Sequence, residues 1–411
     1  MPSRRLAWTV AIVAALTMTV SYVDRTTLAV LAPSVTKALN ISDTAYGWMT
    51  SAFSLAYLVA VPVSGWWIDR AGARRGLVLS LLVWSGVAAL HAVAPGMAAL
   101  FALRIALGIA EAPAFPGAVQ TICRVLPPED RSRGFGFVFT GSSLGAMVAP
   151  PLASLLYALA GWRVAFLGTA LWGLVWIPLW LVLTRRPEVR AQLDAAPVAT
   201  AEERPPFLEL LRHPLMARAL IGIFAVAPVM GLAMAWGAKY LVHAFDVKQA
   251  AVGHYLWLPP LALDVGAILF GDLAARQRRA PGAPPRMLLA IAALLTASPA
   301  LLPWAYSPWQ GTAVLAGCLM GGGAVYTLVT ADVMGRMPAA RASLAAGVLT
   351  GGQSLALIIA HPLIGRAVDL YGGYDVIAVT LGAWVVPGSL VWLAWRPAPT
   401  FASGVRGQTA A

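Results

Sequence analysis

The sequence predicts an all-α integral membrane protein of about twelve transmembrane helices in two pseudo-symmetric six-helix bundles. Three observations predict it: repeated apolar runs, one-sided positive charge, and an internal repeat. Of 411 residues, 59% are hydrophobic and 11% charged, against roughly 25% charged in a soluble domain. Most of the chain is therefore expected never to meet water. Apolar runs fall at about 6–32, 45–68, 76–94, 97–123, 135–159, 162–184, 217–243, 250–274, 287–305, 310–335, 343–368 and 374–395, each near the ~20 residues that cross ~30 Å of hydrocarbon. The first run begins after two arginines and mimics a signal peptide, but it continues past Asp24-Arg25 to Leu31 without a small-residue cleavage site. It reads as an uncleaved helix.

The formal net charge of +12 is spread over short loops and not massed on one surface, which excludes a nucleic-acid partner. An even number of spans puts both termini on one side. Lys37, Arg163, Lys248 and Arg366 then fall on the opposite side, and Arg25, Arg104 and Lys239 lie inside spans. All the other basic residues fall on the side of the termini, which is therefore expected to be cytoplasmic. Cys123 and Cys318 lie in apolar runs and read as small buried hydrophobes.

The internal repeat supports a division into halves. One constant shift carries Gly136, Gly141, Ser143, Leu144, Ala149, Pro151, Leu152, Leu159 and Gly161 onto Gly347, Gly352, Ser354, Leu355, Ala360, Pro362, Leu363, Leu370 and Gly372. Span five thus corresponds to span eleven, and the halves are related by an axis along the membrane normal. The expected organisation is a bundle over 1–184, a polar cytoplasmic linker over 185–215, a second bundle over 216–396 and a tail over 397–411.

Between spans two and three runs Gly65-Trp-Trp-Ile-Asp69-Arg70-Ala-Gly72-Ala-Arg74-Arg75. Gly65 allows close helix approach, Gly72 a tight turn, and Asp69 can face the positive end of a neighbouring helix. The pattern resembles the loop signature of the major facilitator superfamily, with a worn second copy in Gly271-Asp272 followed by Arg276, Arg278 and Arg279. The resemblance implies the major facilitator fold and a gate made by Gly65, Asp69, Arg70, Gly72, Arg74, Arg75, Arg131 and Asp272.

Charges inside spans cost about 2.5–3.5 kcal/mol each at a helix centre on insertion scales and so mark function by default. Asp24 and Arg25 lie in span one. Arg104 and Glu111 lie in span four, on one helical face and about 10 Å apart along the axis. An acid and a base in a shared cavity stabilise each other while the site is empty. An anion that takes the arginine leaves the acid without its partner in a poorly hydrated site, which favours protonation.

Tyr22-Val-Asp24-Arg25 with Ala32-Pro33, and Leu103-Arg104 through Gly108, Glu111, Pro113, Pro116 and Gly117, are similar to helices one and four of the anion:cation symporter family. Pro128-Glu129-Asp130-Arg131, Gly141 through Pro150-Pro151 and Gly161-Trp162-Arg163 extend the likeness, which is densest from 20 to 165. The resemblance implies Asp24 and Glu111 as proton carriers and Tyr22, Arg25, Tyr57 and Arg104 at the substrate. In the second half, the stretches around Ala235-Trp236, Lys239-Tyr240, Trp257-Leu258-Pro259-Pro260 and Asp264 look like the hexuronate-transporter branch. By analogy with aldonate carriers, polar positions in spans five and eleven fall on Ser142 and Gln353, where amides are expected. Lys239, with Tyr240 beside it, either binds a carboxylate or snorkels to the interface. Trp236, Trp257 and Tyr326 either wall the cavity or pack. Asp264 is either functional or a helix–helix contact, and His361 either a buried satisfied histidine or a proton relay. His91, His213, His243 and His254 receive no role.

No phosphate-binding loop, Cys/His cluster or nucleophile elbow is present in the sequence, so ATP-driven transport, a metal and a hydrolase are not expected. The expectation is a monomeric, non-enzymatic secondary transporter in a bacterial-type inner membrane, with no cofactor beyond protons as coupling ion. It would import a small organic anion (a hexuronate, aldonate or similar sugar acid) by alternating access. The alternatives are an exporter or antiporter of metabolites or drugs, a carrier of another carboxylate, a transporter-like receptor and a membrane-embedded enzyme. Span five lacks the Gly-Pro-x-x-Gly-Gly element of exporters, the linker is too short for a receptor's cytoplasmic domain, and no catalytic cluster supports an enzyme.

Overall fold

The computed structural model describes residues 3–194, 207–277, 285–337 and 339–395. Among them are 11 apolar helical segments long enough to cross a membrane. One segment, Pro128–Thr184, has 57 residues, about 85 Å of helix at ~1.5 Å per residue. That is far too long for one crossing of ~30 Å. The chain reverses inside it: Ala160 is non-helical and Gly161 takes φ 81°, a left-handed conformation that costs glycine little. The side chain of Leu156 packs on Gly168, a contact that a continuous helix would forbid. The segment is two antiparallel helices, and the crossings number twelve.

They are α1 (Arg4–Ala38), α2 (Asp43–Ala71), α3 (Ala73–Val93), α4 (Met97–Val125), α5 (128–159), α6 (162–184), α7 (Pro214–Phe245), α8 (Gln249–Arg276), α9 (Arg286–Trp304), α10 (Pro308–Met334), α11 (Ala339–Tyr371) and α12 (Asp375–Ala394). Several helices outrun their apolar runs because polar ends continue them. Ser3 caps α1 by accepting from the Leu6 amide, and Ser42 caps α2 in the same way through Ala45. α4 is interrupted at Ala112 and Pro113, immediately after Glu111. α7 contains a wide π turn over Leu232–Trp236, a device that re-aims the residues following it and is frequent at functional sites.

The linker is not all loop. Its segment Pro187–Leu193 is a helix with Val189 and Leu193 fully buried. Arg74 Nε meets Asp194 at 3.0 Å, and Arg124 donates to the Leu193 carbonyl. Burial alone would raise the Asp194 carboxyl, but the hydrogen bonds and charges of Arg74 and Arg190 hold it below the ordinary carboxylate range. Residues 195–206 and the predicted tail, with Arg204, Arg278, Arg279, Arg396 and Arg406, lie outside the described residues.

The buried apolar residues form two cores. One runs from Leu6 and Ala7 through Leu77 and Ile122 to Leu193, inside the N-terminal half at the end that bears the termini. The other joins the C-terminal half to the opposite end of the N-terminal half, through Leu31, Val35, Tyr46, Met49, Trp236 and Leu241. The halves are thus fused at the end remote from the termini.

Two seams make that fusion, and the internal repeat is visible in both. On α2, Gly47 lies against the His361 carbonyl and Pro362 of α11. On α8, Gly253 lies against the Pro150 carbonyl and Pro151 of α5. Pro362 and Pro151 are repeat partners, and each glycine lets a backbone come too close for a β carbon. The remainder of the seal is polar. Asp369 accepts from the amides of Asp43 and Thr44 at 3.0 and 2.8 Å, capping α2 from the other half. Tyr46 donates to the Ala235 carbonyl and Ser51 to that of Ile358, each at 2.7 Å. Gln249 donates to the Val30 carbonyl at 2.7 Å and accepts from Ser34 at 3.1 Å.

Gly47→Val and Gly253→Val should each wedge the seal apart. In a background with Cys123 and Cys318 replaced by alanine, a cysteine at Ser51 should react several-fold faster with an impermeant thiol reagent in either variant. Equal slow labelling with and without the valines would mean that these seams do not close the protein.

Candidate functional site

α1 and α4 bring four ionisable side chains together in the membrane. Arg25 donates to Glu111 Oε2 from Nη2 at 3.1 Å and from Nε at 3.3 Å. Ser21, one turn before Arg25 on α1, donates to the same oxygen at 2.8 Å. Glu111 is fully buried and its Oε1 has no hydrogen-bond partner. The Arg25 guanidinium is boxed by Tyr22, Phe53 and Tyr57, with ring centroids at 4.7, 4.7 and 4.6 Å. Such cation–π contacts hold a cation without neutralising it.

Asp24, beside Arg25, is buried; neither carboxylate oxygen has a well-aligned hydrogen bond among the described residues, and the indole of the buried Trp84 is a donor close to it. Arg104 lies near both acids but is bound elsewhere: its Nε donates to His91 Nε2 at 3.1 Å and its Nη1 to the Arg25 carbonyl at 3.4 Å. The sequence pattern placed Arg104 and Glu111 on one face, and both do face α1. The direct partner of Glu111, however, is Arg25.

The remaining predicted substrate residues are dispersed. Gln353 is half-buried on α11, with no side-chain hydrogen bond among the described residues. Tyr326 lies near Tyr22 and its hydroxyl is 3.3 Å from Thr350 Oγ1. Ser142 turns back to its own helix, donating to Val138. Its neighbour Ser143 instead donates across the halves to Asp264 at 2.6 Å. Trp236 is fully buried in the seal, edge-on to Tyr46 and donating to His361 Nδ1 at 3.2 Å. His361 is thus a satisfied buried histidine in this conformation. Tyr240 packs within the C-terminal half against Phe245 and Tyr374. Trp257 donates to the His254 carbonyl and is partly exposed. Lys239 does not snorkel to solvent. Its ammonium pairs with Asp43 at 2.9 Å and donates to Thr36 at 2.8 Å, bridging the halves within the seal.

At the gate signature, Gly72 takes φ 75° and makes the expected tight turn. A β carbon at Gly65 would meet no atom within 4 Å among the described residues, so the close helix contact expected there is not made in this conformation, in which the halves are joined at the other end. Asp69 does not face a helix end directly. It accepts from Gln120 at 2.8 Å, while Gln120 itself caps α3 by accepting from the Ala73 amide. Arg70 stacks on Trp66, Arg131 donates to the terminal carbonyls of Cys123 and Leu126 on α4, and Asp272 pairs with Arg276 on its own helix at 2.7 Å. Arg75 is exposed.

Sequence reasoning missed His91, Ser143 and Ser21 at the site. The first was set aside as a histidine near an interface; the other two carry no motif beyond their neighbours.

Comparison with known proteins gives a consistent result. The sequence profile of the Major Facilitator Superfamily matches residues 14–361. The hexuronate transporter of Escherichia coli (strain K12) is 28% identical, with 94% of this chain and 93% of that protein aligned. The galacturonate transporter of Dickeya chrysanthemi is 28% identical over 61% of this chain and 76% of its own length. Among solved structures, a bacterial homolog of the human lysosomal transporter Spinster, in an inward-facing and unoccupied conformation, superposes with a TM-score of 0.79. The two share 19% identity, with 97% of this chain and all 100% of that one covered.

Removing one member of a buried ion pair strands the other, a loss of about 3–5 kcal/mol. Arg25→Met should therefore destabilise the folded protein by about that much, and adding Glu111→Gln should recover most of it. Denaturant unfolding in detergent measures both, and an Arg25→Met protein as stable as the wild type would show that the pair is not a structural constraint.

Proposed function

The chain belongs to the major facilitator superfamily, and on that premise we propose that it is a proton-coupled importer of a hexuronate or closely related sugar acid. The observation that carries this reading is the pairing of Arg25 with Glu111 beside Asp24, a buried acid with no ion pair among the described residues, all within the membrane. Two acids without full hydrogen-bond satisfaction, next to two arginines, form an arrangement in which proton and anion exchange partners. The relatives that carry hexuronate and galacturonate support the substrate class.

In the proposed cycle the sugar acid's carboxylate binds between Arg104 and Arg25, and Glu111, losing Arg25 to it, is protonated. Asp24 is the second proton carrier. Tyr22 and Tyr57, whose rings already flank Arg25, offer hydroxyls to the sugar, and Gln353 and Tyr326 offer polar groups from the other half. One proton per monoanion moves no net charge. Two move one positive charge, for which the membrane potential contributes about 2.3 kcal/mol per 100 mV.

The one-sided distribution of arginine supports cytoplasmic termini in a bacterial-type inner membrane. With that orientation the sealed end is external and the conformation described is inward-facing. Lys239–Asp43 then acts as an external latch, closed after the substrate has entered. The signature loop around Asp69 is the counterpart at the cytoplasmic end, open in this conformation. One chain holds all of these parts, so the monomer is the transporting unit.

Reconstituted protein with an acidic exterior should accumulate D-galacturonate or D-glucuronate from a panel that also holds aldonates, aldarates and aromatic acids. Glu111→Gln and Asp24→Asn should each lose gradient-driven accumulation, while anion counterflow persists. If no anion accumulates, symport is wrong; if both variants accumulate as the wild type does, the coupling residues lie elsewhere.

A further inference from the structure

The three cations inside the membrane are held in two different ways. Arg25 is matched by the Glu111 carboxylate and Lys239 by that of Asp43. Arg104 has no carboxylate within hydrogen-bonding distance among the described residues; its Nε donates to a histidine instead. That histidine, His91, ends α3 and is fully buried. Its Nδ1 lies 2.9 Å from the Val87 carbonyl one turn earlier, and its Nε2 is the atom facing Arg104. An arginine cannot accept, so Nε2 carries no proton and Nδ1 does. The ring is therefore the neutral Nδ1–H tautomer. Its orientation is fixed a third time by Phe166 of α6, stacked at 5.4 Å and 26°.

A neutral acceptor differs physically from a carboxylate at this point. Both satisfy the Nε–H, whose burial unpaired would be costly. A carboxylate would also cancel the charge and compete with any incoming anion. Imidazole leaves the charge in place. The hydrogen bonds of Arg104 then involve Nε and Nη1, and Nη2 donates to no group among the described residues.

We propose that His91 is the positioning residue for Arg104: a neutral acceptor that fixes the guanidinium while leaving its charge and its Nη2 edge to the carboxylate of the transported anion. This rests on the reading above, in which Arg104 binds the substrate.

The test uses the purified full-length protein, with D-galacturonate binding measured by calorimetry and uptake KM and Vmax in proteoliposomes. His91→Gln, which places a neutral acceptor at similar reach, should keep affinity within about threefold. His91→Phe, which packs but accepts nothing, should weaken it about tenfold, the low end of a hydrogen bond to a charged group. His91→Glu should weaken it most, about a hundredfold or more, because the acceptor is kept and the charge is quenched. The loss should appear in KM, with Vmax per folded molecule little changed. Should His91→Phe fail to fold, the Gln and Glu variants still decide, since they differ in charge at equal length.

Affinities that follow melting temperature, or a Glu variant binding as well as the Gln variant, would overturn the proposal. Arg104→Gln separates the two levels. If the wild type binds and Arg104→Gln does not, yet His91→Phe binds normally, only the role of His91 falls. If the wild type does not bind, or Arg104→Gln binds normally, the substrate reading falls and this proposal with it.

Discussion

A guanidinium and a carboxylate moved out of water each lose several kcal/mol of solvation, recovered only when their geometry is good and their remaining hydrogen-bonding groups are satisfied. Arg25 and Glu111 meet that condition incompletely. One carboxylate oxygen takes three hydrogen bonds, two from Arg25 and one from Ser21, while the other takes none. A purely structural pair would be better satisfied. The arrangement around it follows from the same constraint. The break at Ala112-Pro113 ends the first part of α4 where Glu111 must turn toward α1. The rings of Tyr22, Phe53 and Tyr57 enclose the cation on the sides that the carboxylate leaves open.

In the proposed cycle the pair also explains why the two halves would separate. A buried pair exchanges with a solute only if water and solute reach it, and then only from one side at a time. The repeat supplies the means. Glycine on α2 and α8 meets proline-flanked carbonyls on α11 and α5, so the same backbone-to-backbone contact is made twice about a pseudo-twofold axis. Such contacts contain no long side chains to reorganise and can part and re-form as rigid surfaces. The polar bonds at the seams add specificity, since Lys239 and Asp369 of the second half engage Asp43 and Thr44 of the first across the closed end.

Much of this was legible in the sequence because it is one-dimensional. Apolar run length gives the crossings, and even the turn at Gly161, which one continuous helical assignment conceals, lies between two runs. Charge inside a run marks Asp24, Arg25, Arg104 and Glu111. What the sequence does not carry is partner choice. Arg104 and Glu111 share a face at helical spacing, yet Glu111 bonds to Arg25, because contact between helices depends on crossing geometry and not on spacing along one of them. Ser142 and Ser143 differ by about 100° around α5, and only the second points to Asp264. Lys239 was ambiguous for the same reason: the π turn before it rotates its side chain toward Asp43 by an amount that no periodicity predicts.

The different treatment of the three cations bears on how proton and anion are linked. Where a carboxylate already holds the cation, an anion must displace it, and in the proposed cycle the displaced acid takes a proton; that is the logic proposed for Arg25. At Arg104 there is nothing to displace. Both Glu111 and Asp24 interact with it through space without a hydrogen bond, and Glu111 is already held by Arg25. In the proposed cycle, with Glu111 on Arg25, the charge that an incoming anion meets at Arg104 then varies with whether Asp24 carries a proton. With Asp24 ionised, the local field is partly cancelled; with Asp24 protonated, it is not. In the proposed cycle a proton on Asp24 thus precedes and favours the anion, whereas the proton on Glu111 follows it. Two acids in one cavity would then act on opposite sides of the binding step, a division of labour that follows from Glu111 being hydrogen-bonded to an arginine and Asp24 to neither.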